Sequence, residues 1–436
     1  MVFFRVTQNI NIKATDGTLV KYLKLKKPSE LISEHIYCTT YNDINSIKKI
    51  FKRVGSEYKL RVMDEKKFTS KEEFPLELGI SNKNEFNILK KHEYEIEQNP
   101  SYIVQKTDKS IQGFSINEKP SLLYDQLNVD KKTLKVMILG GIGKDIGEIV
   151  NSLSAVRILY EQLLKRFTNV KIDMYLISSD NTFYSRDKDI MKNEYYINAV
   201  FPLCLSVKKM STYDFYIDNS SIRHSNYYSH MTFVDAYLHK FGIDSKKVPT
   251  MEKHNHLDIS SYKPKQELVD KLNDLKIKGE LLLYHPYSTS SERSMPSDVS
   301  IMFLKKLIKK SNNKIIISVL NLDKFKSDSY VNLTSYSKTY YDFVYIISRM
   351  DKVICVDTAT YHISDAFFIP TVVLFSGVKP KHRIKHYTMT KAIEVIDRTK
   401  YFSKFVFDND ALSLYKFEGW GSVKVGKVIK LLETIR

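Results

Sequence analysis

The chain has 436 residues, of which 43% are hydrophobic and 27% are charged, and its formal net charge is +18. This length exceeds one ordinary hydrophobic core, and the composition is that of a folded globular protein, so we expect several domains and exclude general disorder. The three cysteines are an odd number without metal-ligand spacing, which indicates a reducing compartment. The longest apolar run, residues 367–375, is interrupted by Pro370, so neither secretion nor a membrane span is predicted.

The excess of positive charge predicts an acidic partner. The lysines are scattered over solvated helix faces, as in residues 303–310, where apolar and lysine pairs alternate. No zinc, homeodomain or RNA-recognition signature accompanies them, so we expect no nucleic-acid partner. Attraction to an anionic membrane surface is the favoured alternative, and we expect a cytoplasmic protein with peripheral contact on the inner face of the membrane.

Residues 1–128 predict an accessory N-terminal α+β region, because short β-rich runs alternate with lysine-rich segments there. The predicted strands are Phe3–Val6, Ile10–Ile12, Tyr58–Val62 and Ser110–Ile116. This part of the sequence has no glycine-rich ligand loop, and its role is not disclosed by its residues. A polar linker, Asp130–Thr133, leads into the next domain.

Residues 129–264 predict a first Rossmann-like domain. A buried strand, Leu134–Leu139, precedes the glycine loop 140–147, and an amphipathic helix then runs to about Phe167. A strand, a glycine loop and a helix form one α/β half-unit. Further strands are predicted at Lys171–Ile177 and Phe215–Ile217.

Residues 265–436 repeat the alternation of strands and helices. The predicted strands are Glu280–Tyr284, Lys314–Leu320, Val353–Val356 and Thr371–Phe375; the predicted helices are Ser297–Lys310, with Ser297 as N-cap, Tyr340–Arg349 and Thr360–Phe368. Because the pattern occurs twice, we expect the α/β class, with two facing doubly wound domains and a cleft between them.

The segment 351–375 is the most informative for function. Asp357 and Thr358 fall at the carboxyl end of a buried strand, and His362 lies on the helix that follows. A helix start offers N–H groups without intrahelical partners and a positive potential, so a phosphate or diphosphate is the expected ligand. The alternative is that Asp357 only caps the helix and that His362 packs in the core.

Three motifs together resemble glycosyltransferase family 9, the ADP-heptose-type glycosyltransferases of the GT-B fold, over roughly residues 134–390. The motifs are Gly147–Arg157 (GEIVNSLSAVR), His285–Pro296 (HPYSTSSERSMP) and Asp357–His362 (DTATYH). The sequence departs from the family pattern at five positions, which are Glu148 for aspartate, Ser154 for proline, Tyr287 and Ala359 for glycine, and Ser294 for an aromatic residue. A side chain in place of glycine narrows the donor pocket or moves its backbone.

Transfer from a nucleotide sugar needs a carboxylate that takes the proton of the acceptor hydroxyl. Counting back from Ser154 places Glu148 at the acidic position of the family, which makes it the first candidate for the catalytic base, with Asp145 second. The alternative for either residue is a helix N-terminal carboxylate stabilised by the helix dipole.

The leaving diphosphate needs cations and N–H groups. Arg293 can bind it through two hydrogen bonds, assisted by the hydroxyls of Ser288 and Thr289. Asp357 would hold sugar hydroxyls; the groups expected near the phosphates or the sugar are Thr358, the Ala359 N–H and His362. No divalent metal is then required, and the sequence has no Asp-x-Asp motif.

The resemblance implies an inverting, metal-independent glycosyltransferase that needs no cofactor besides its nucleotide-sugar donor. The expected donor is an ADP-linked sugar, with heptose as the expected sugar. The expected acceptor is a surface-glycan precursor, such as the lipopolysaccharide core, and the extra N-terminal region makes a protein acceptor the alternative.

Two other functions compete with this interpretation. Gly141, Gly143 and Gly147 form a GxGxxxG loop after a strand, as in an NAD(P)-dependent oxidoreductase, with Asp180 near the end of the second strand. The altered glycines also permit a catalytically silent module that binds a nucleotide sugar or a partner. His254 and His256 lack a third metal ligand and are interpreted as part of a solvated loop.

Overall fold

The computed structural model describes residues 1–25, 33–63, 74–80, 123–176, 183–225, 227–228, 231–311, 314–322, 327–376, 378–396 and 418–435. Contacts within the chain define two compact units. Unit 1 comprises Met1–Gly143 and Ala155–Pro249, and unit 2 comprises Lys144–Ser154 and Thr250–Arg436. The domain boundaries predicted at residues 128 and 264 stay predictions.

Unit 1 contains eleven described strands, five whole described α-helices and the part of a sixth, α3, that begins at Ala155. The strands are β1 Val2–Val6, β2 Ile10–Lys13, β3 Leu19–Tyr22, β4 Tyr37–Thr39, β5 Leu60–Val62, β6 Leu76–Glu77, β7 Thr133–Leu139, β8 Asn169–Leu176, β9 Ala199–Pro202, β10 Leu205–Ser206 and β11 Phe215–Asp218. The helices are α1 Ile44–Arg53, α2 Leu123–Gln126, α3 Ile146–Leu164, α4 Tyr184–Met191, α5 Val207–Met210 and α6 Phe233–Lys240.

The N-terminal residues form an antiparallel sheet in the order β10-β4-β1-β5, beside the hairpin β2-β3. Helix α1 buries Ile47, Ile50 and Phe51 in a core that includes Phe4 of β1. These three positions follow helical spacing, so one face of α1 covers the core while the other carries its lysines. The predicted N-terminal α+β region is confirmed in the described residues; the predicted strand 110–116 lies outside them.

The second sheet of unit 1 is parallel, with the order β6-β11-β7-β8-β9. Its central strand β7 follows the predicted strand Leu134–Leu139 closely, and the helix after the glycine loop is α3. The accessory region contributes the edge strand β6 to this sheet, while β10 joins the N-terminal antiparallel sheet. The two parts of unit 1 are therefore interlocked through exchanged strands.

Unit 2 contains a six-stranded parallel sheet in the order β14-β13-β12-β15-β16-β17. Its strands are β12 Glu280–His285, β13 Lys314–Ser318, β14 Tyr330–Asn332, β15 Lys352–Val356, β16 Thr371–Phe375 and β17 Thr390–Glu394. Its helices, besides the first part of α3, are α7 Gln266–Lys278, α8 Ser297–Lys310, α9 Tyr340–Ser348, α10 Ala359–Ala366 and α11 Val425–Glu433.

The α/β class with two parallel sheets and an N-terminal α+β region is therefore confirmed. One local prediction is wrong, because Ser297 is the first residue of α8 rather than its N-cap. Pro296 occupies the cap position, and its carbonyl accepts the N–H of Ser300 at 2.8 Å. The proline ring fixes φ at the cap position, and no side-chain hydrogen bond caps this helix start. Within the described part of the chain, no helix is both long and apolar enough to span a membrane.

The core of unit 2 provides a test of its packing. Ile354 on β15 is fully buried in the same cluster as Trp420, whereas Ile277 on α7 is 85% exposed. Ile354→Ala leaves a cavity and should lower the free energy of unfolding by about 2–5 kcal/mol. Ile277→Ala should change it by less than about 0.5 kcal/mol. Trp420 is the single tryptophan, so urea denaturation followed by its fluorescence reports on this core. Equal losses in both variants would contradict this packing.

Candidate functional site

The site lies at the carboxyl edge of the unit 2 sheet. Strands β12 and β15 are parallel neighbours with His285 opposite Cys355, so His285 and Asp357 end their strands at the same edge. The hydroxyl of Thr360 lies 3.0 Å from Nδ1 of His285 and ties α10 to β12. Burial lowers the pKa of His285 to about 4, so its ring is neutral at neutral pH.

Asp357 is a buried carboxylate whose two oxygens have different surroundings. The hydroxyl of Tyr361 donates to Oδ1 at 2.9 Å, and Nη1 of Arg293 lies 3.7 Å from Oδ2. Oδ2 accepts no hydrogen bond from the residues that the structure describes. The carboxylate does not cap α10, since Thr358 holds the N-cap position and makes no side-chain cap bond. Arg293 and Asp357, to which the sequence analysis assigned separate roles, therefore lie next to each other.

A second helix start lies against α10. A Cβ atom built on Gly147 would lie 2.6 Å from Cδ2 of His362 and 3.2 Å from Cα of Ala359. Only a residue without a side chain permits this approach without displacement. The first turns of α3 and α10 thus meet, and both supply N–H groups that their own helices do not use.

Glu148 lies in the first turn of α3, next to this contact. Its side chain is buried, and the backbone N–H of Lys144 donates to Oε2 at 2.7 Å. That bond fixes one carboxylate oxygen within the helix start. Asp145 is exposed, and its carbonyl accepts the N–H of Ile149. Glu148 is therefore the better placed of the two acidic candidates.

The loop after β12 is closed by its serines. Ser294 Oγ accepts the N–H of Ser288 at 2.9 Å and lies 2.8 Å from the carbonyl of Ser290. These bonds fold the loop back on itself and bring its last residues toward its start. Tyr287 is anchored to α8 by its hydroxyl, 3.0 Å from Oγ of Ser300. Ser288 is half-buried and Thr289 is exposed, and no bond in the described residues ties either side chain to Asp357.

A buried hydrogen-bond network holds His362. The backbone carbonyl oxygen of His362 lies 2.9 Å from Nδ2 of Asn255. Because a carbonyl can only accept, this contact fixes the orientation of the Asn255 amide. Its Oδ1 then accepts from Nδ2 of Asn151 at 3.0 Å. The hydroxyl oxygen of Tyr387 accepts from both amides, at 2.8 and 2.9 Å. With both acceptor positions used, its own hydrogen goes to Nδ1 of His362.

This arrangement determines the state of the His362 ring. Burial, together with the positive charges of Arg383 and Arg293, lowers the pKa of His362 well below its ordinary range. The ring is therefore neutral, and because Nδ1 accepts from Tyr387, its proton is on Nε2. A Cβ on Gly147 would lie 3.3 Å from Nε2, so this N–H lies where the two helix starts meet.

The structure therefore brings together Gly147, Arg293, Asp357, Ala359 and His362, with Thr358 as cap and Glu148 one residue beyond Gly147. Sequence reasoning missed Asn255 and Tyr387. The interpretation of residues 253–256 as a solvated loop is wrong at Asn255 and Lys253, which are buried. Asn255 carries no motif, and only its position between two histidines marked it. Among the described residues, no group of three His, Cys, Asp or Glu could hold a metal ion.

Ser154, which stands in place of the family's proline, also has a partner in unit 2. Its hydroxyl lies 3.0 Å from the carbonyl of His254 and 3.3 Å from Oδ1 of Asn255. A proline could not make either bond. The substitution thus adds a hydroxyl to the same network that orients His362.

No family model matches the sequence, and no curated protein matches it. The chain is similar in structure to a glycosyltransferase family 9 protein from Veillonella parvula, with 11% identity and a TM-score of 0.48 over 71% of this chain and 98% of the other. It is similar to the E. coli ADP-heptose LPS heptosyltransferase II, with 11% identity and a TM-score of 0.48 over 69% and 98%.

A further similar structure is the iron-containing dodecameric glycosyltransferase TibC from enterotoxigenic E. coli, with 10% identity and a TM-score of 0.45 over 71% of this chain and 77% of the other.

The network around His362 predicts the effect of removing one oxygen. Tyr387→Phe deprives each of two buried amides of one of its two acceptors and Nδ1 of its donor, so the free energy of unfolding should fall by about 2 kcal/mol or more. Tyr336→Phe, at a partly exposed tyrosine of the same unit, should change it by less than about 0.5 kcal/mol. Chemical denaturation measures both values. A neutral Tyr387→Phe change would show that the network does not contribute.

Asp365 predicts a pH effect. Burial raises its pKa to about 7, and the Asn255 N–H donates to Oδ2. In the unfolded chain this carboxyl ionises near the ordinary aspartate pKa of 3.8, so between about pH 4 and 7 the folded state alone keeps the proton. Stability from this group is therefore lost as pH rises through that window, by about 1.4 kcal/mol per pH unit at most.

Asp365→Asn keeps an oxygen for the Asn255 N–H and removes the titration. Its stability should rise relative to the native chain as pH increases from about 4 to about 7. Asp274→Asn, at an exposed aspartate on α7, should show no such trend. Thermal denaturation across this pH range measures the difference, and a flat difference for Asp365→Asn would refute the raised pKa.

Proposed function

We propose that this chain is a glycosyltransferase that moves a sugar from a nucleotide-diphosphate donor to a hydroxyl acceptor. The observation that carries the proposal is the Arg293–Asp357 pair at the start of α10, beside His362 and Gly147. Cleavage of a glycosyl diphosphate adds negative charge to the leaving diphosphate, next to an electron-poor sugar. A guanidinium, helix N–H groups and a buried carboxylate in one place meet both requirements.

The leaving diphosphate would be held by four kinds of donor. Arg293 supplies a full positive charge in a planar fork, and the backbone N–H groups at Ala359 supply the helix-start potential. Nε2–H of His362 adds a neutral donor whose tautomer is fixed by Tyr387. The hydroxyls of Ser288 and Thr289 remain available on the loop beside Arg293. Because these groups compensate the phosphate charge, we propose a transfer that does not require a divalent metal.

Glu148 is the proposed catalytic base, with Asp145 as the second candidate. The carboxylate of Glu148 takes the proton from the acceptor hydroxyl while the acceptor oxygen attacks the anomeric carbon. The bond between that carbon and the diphosphate oxygen breaks, and the diphosphate leaves with the electron pair. Attack from the face opposite the leaving group inverts the anomeric configuration. The hydrogen bond from the Lys144 N–H to Oε2 fixes the orientation of the base.

We further propose that the donor is ADP-linked heptose and that Asp357 binds its hydroxyls. The support is the motif resemblance, carried by residues 147–157, 285–296 and 357–362. The acceptor is proposed to be a surface-glycan precursor or a protein. The proposed location is the cytoplasm. The three cysteines are buried free thiols, which is in keeping with such a reducing compartment.

Nucleotide binding tests the donor site. In calorimetric titrations the native chain should bind ADP more tightly than UDP or GDP. Arg293→Ala should weaken ADP binding about tenfold to a hundredfold, because a charge-assisted contact to the diphosphate is lost. Asp357→Asn should leave ADP binding within a few-fold and weaken the ADP-sugar instead. Binding of NAD alone, unchanged by either substitution, would favour the oxidoreductase alternative.

Glu148→Gln separates catalysis from binding. This variant should bind ADP as the native chain does and lose at least about a hundredfold in transfer rate. Asp145→Asn serves as the matched control and should keep most of the activity. If no ADP-sugar is consumed with any glycan or protein acceptor while ADP still binds, the catalytically silent module is the correct alternative.

A further inference from the structure

A dense positive surface lies on unit 1, remote in sequence from the proposed donor site. It is formed by five side chains, which we call the basic face: Lys48, Lys49, Lys52 and Arg53 of α1, and Lys59 of the segment that follows the helix. Residues 44–62 contain these five cations, Arg61 and a single acidic residue, Glu57. The local excess is therefore much stronger than the average over the chain, where 68 basic residues face 50 acidic ones.

The fold places these side chains on the outside. Helix α1 turns Ile47, Ile50 and Phe51 into the core, which leaves its lysines on the opposite side. The segment after the helix is folded back on it, since the N–H of Ser56 bonds the carbonyl of Phe51 at 2.8 Å. Strand β5 then continues at the edge of the sheet, where Leu60 joins the core under α1, so the next side chain, Arg61, points to the other face of the sheet and is not part of the basic face.

Apolar side chains are exposed among these cations. Tyr58 is 64% exposed, Val62 is 51% exposed and Val54 is 43% exposed. Nζ of Lys59 lies 5.3 Å from the centre of the Tyr58 ring, so a cation and an aromatic ring project together. An anionic bilayer can take up both kinds of group, because its headgroups attract cations and its acyl boundary accepts apolar side chains.

We propose that the basic face docks the protein on an anionic lipid bilayer. The negative potential of such a leaflet attracts each nearby Lys or Arg, strengthening binding by about fivefold per residue. Tyr58 would lie at the level of the headgroups, where amphipathic rings are favoured. Val54 and Val62 would contact the acyl boundary. A nucleic-acid backbone would reward the cations but not the two valines, which is why the lipid surface fits better.

The proposal is tested with the full-length chain by co-sedimentation with vesicles. One set consists of phosphatidylcholine, and the other contains an equal part of phosphatidylglycerol. The native chain should bind only the second set, and raising the ionic strength from about 0.1 M to about 1 M, which shortens the screening length from about 10 Å to about 3 Å, should weaken binding strongly.

Two variants locate the contact. Replacing Lys48, Lys49 and Lys52 by alanine should weaken binding at least about tenfold. The matched control replaces Lys305, Lys306 and Lys309, three exposed lysines on α8, and removes the same charge from unit 2. The control should lose less than about twofold. Lys59→Ala provides a second variant on the segment that follows α1, and circular dichroism confirms that each variant is folded.

Equal losses in the basic-face variants and the α8 control would overturn the proposal, because the attraction would then be a property of net charge alone. Binding to phosphatidylcholine that does not depend on salt would also overturn it. If duplex DNA binds more tightly than the anionic vesicles and depends on the same lysines, the basic face is a nucleic-acid surface and the proposal is wrong. Tyr58→Ser should reduce vesicle binding while leaving any binding to DNA unchanged.

Discussion

The close approach of Gly147 to α10 is the constraint on which the candidate site depends. A Cβ atom at this position would lie 2.6 Å from the ring of His362. Because Gly147 has no side chain, the starts of α3 and α10 can approach each other closely. The positive potentials of the two helix N-termini then add, and their N–H groups lie close together. Arg293 adds a full charge at the same place. This positive potential does not depend on a bound ion, because backbone N–H groups and the side chain of Arg293 produce it.

Such a concentration of positive charge limits what the neighbouring residues can be. Burial and the nearby charges of Arg383 and Arg293 disfavour a charged imidazole and lower the pKa of His362, and a hydroxyl donor at Nδ1 matches the neutral ring. Tyr387 can serve as that donor because two amides occupy its acceptor positions. Burial raises the pKa of Tyr387, which keeps the donated proton in place. Neutral groups thus fix the geometry, while the charge stays on the residues that would face a ligand.

The fold and much of the site follow from sequence patterns, and the failures are specific. Strands β15 and β16 are continuous apolar runs between turn residues, so their limits were predictable to within a residue or so. Asp357 and Arg293 belong to motifs and were found for that reason. Asn255 and Tyr387 were missed because their roles depend on contacts between segments more than a hundred residues apart, which no local period encodes. The exchange of β6 and β10 between the two sheets of unit 1 was missed for the same reason, since strand pairing between distant segments leaves no spacing in the sequence.

Helix α3 is divided between the two units, since its residues up to Ser154 group with unit 2 and those from Ala155 with unit 1. Unit 2 is therefore not a continuous stretch of chain. A fragment that begins at Thr250 lacks the amide of Asn151 and the hydroxyl of Ser154, and leaves the buried Oδ1 of Asn255 without either donor. During synthesis the first turns of α3, which end at Ser154, leave the ribosome well over a hundred residues before Glu280, where the first strand of the unit 2 sheet begins. Unit 2 thus finishes folding only after unit 1 has been made, and the order of assembly is set by the path of one helix.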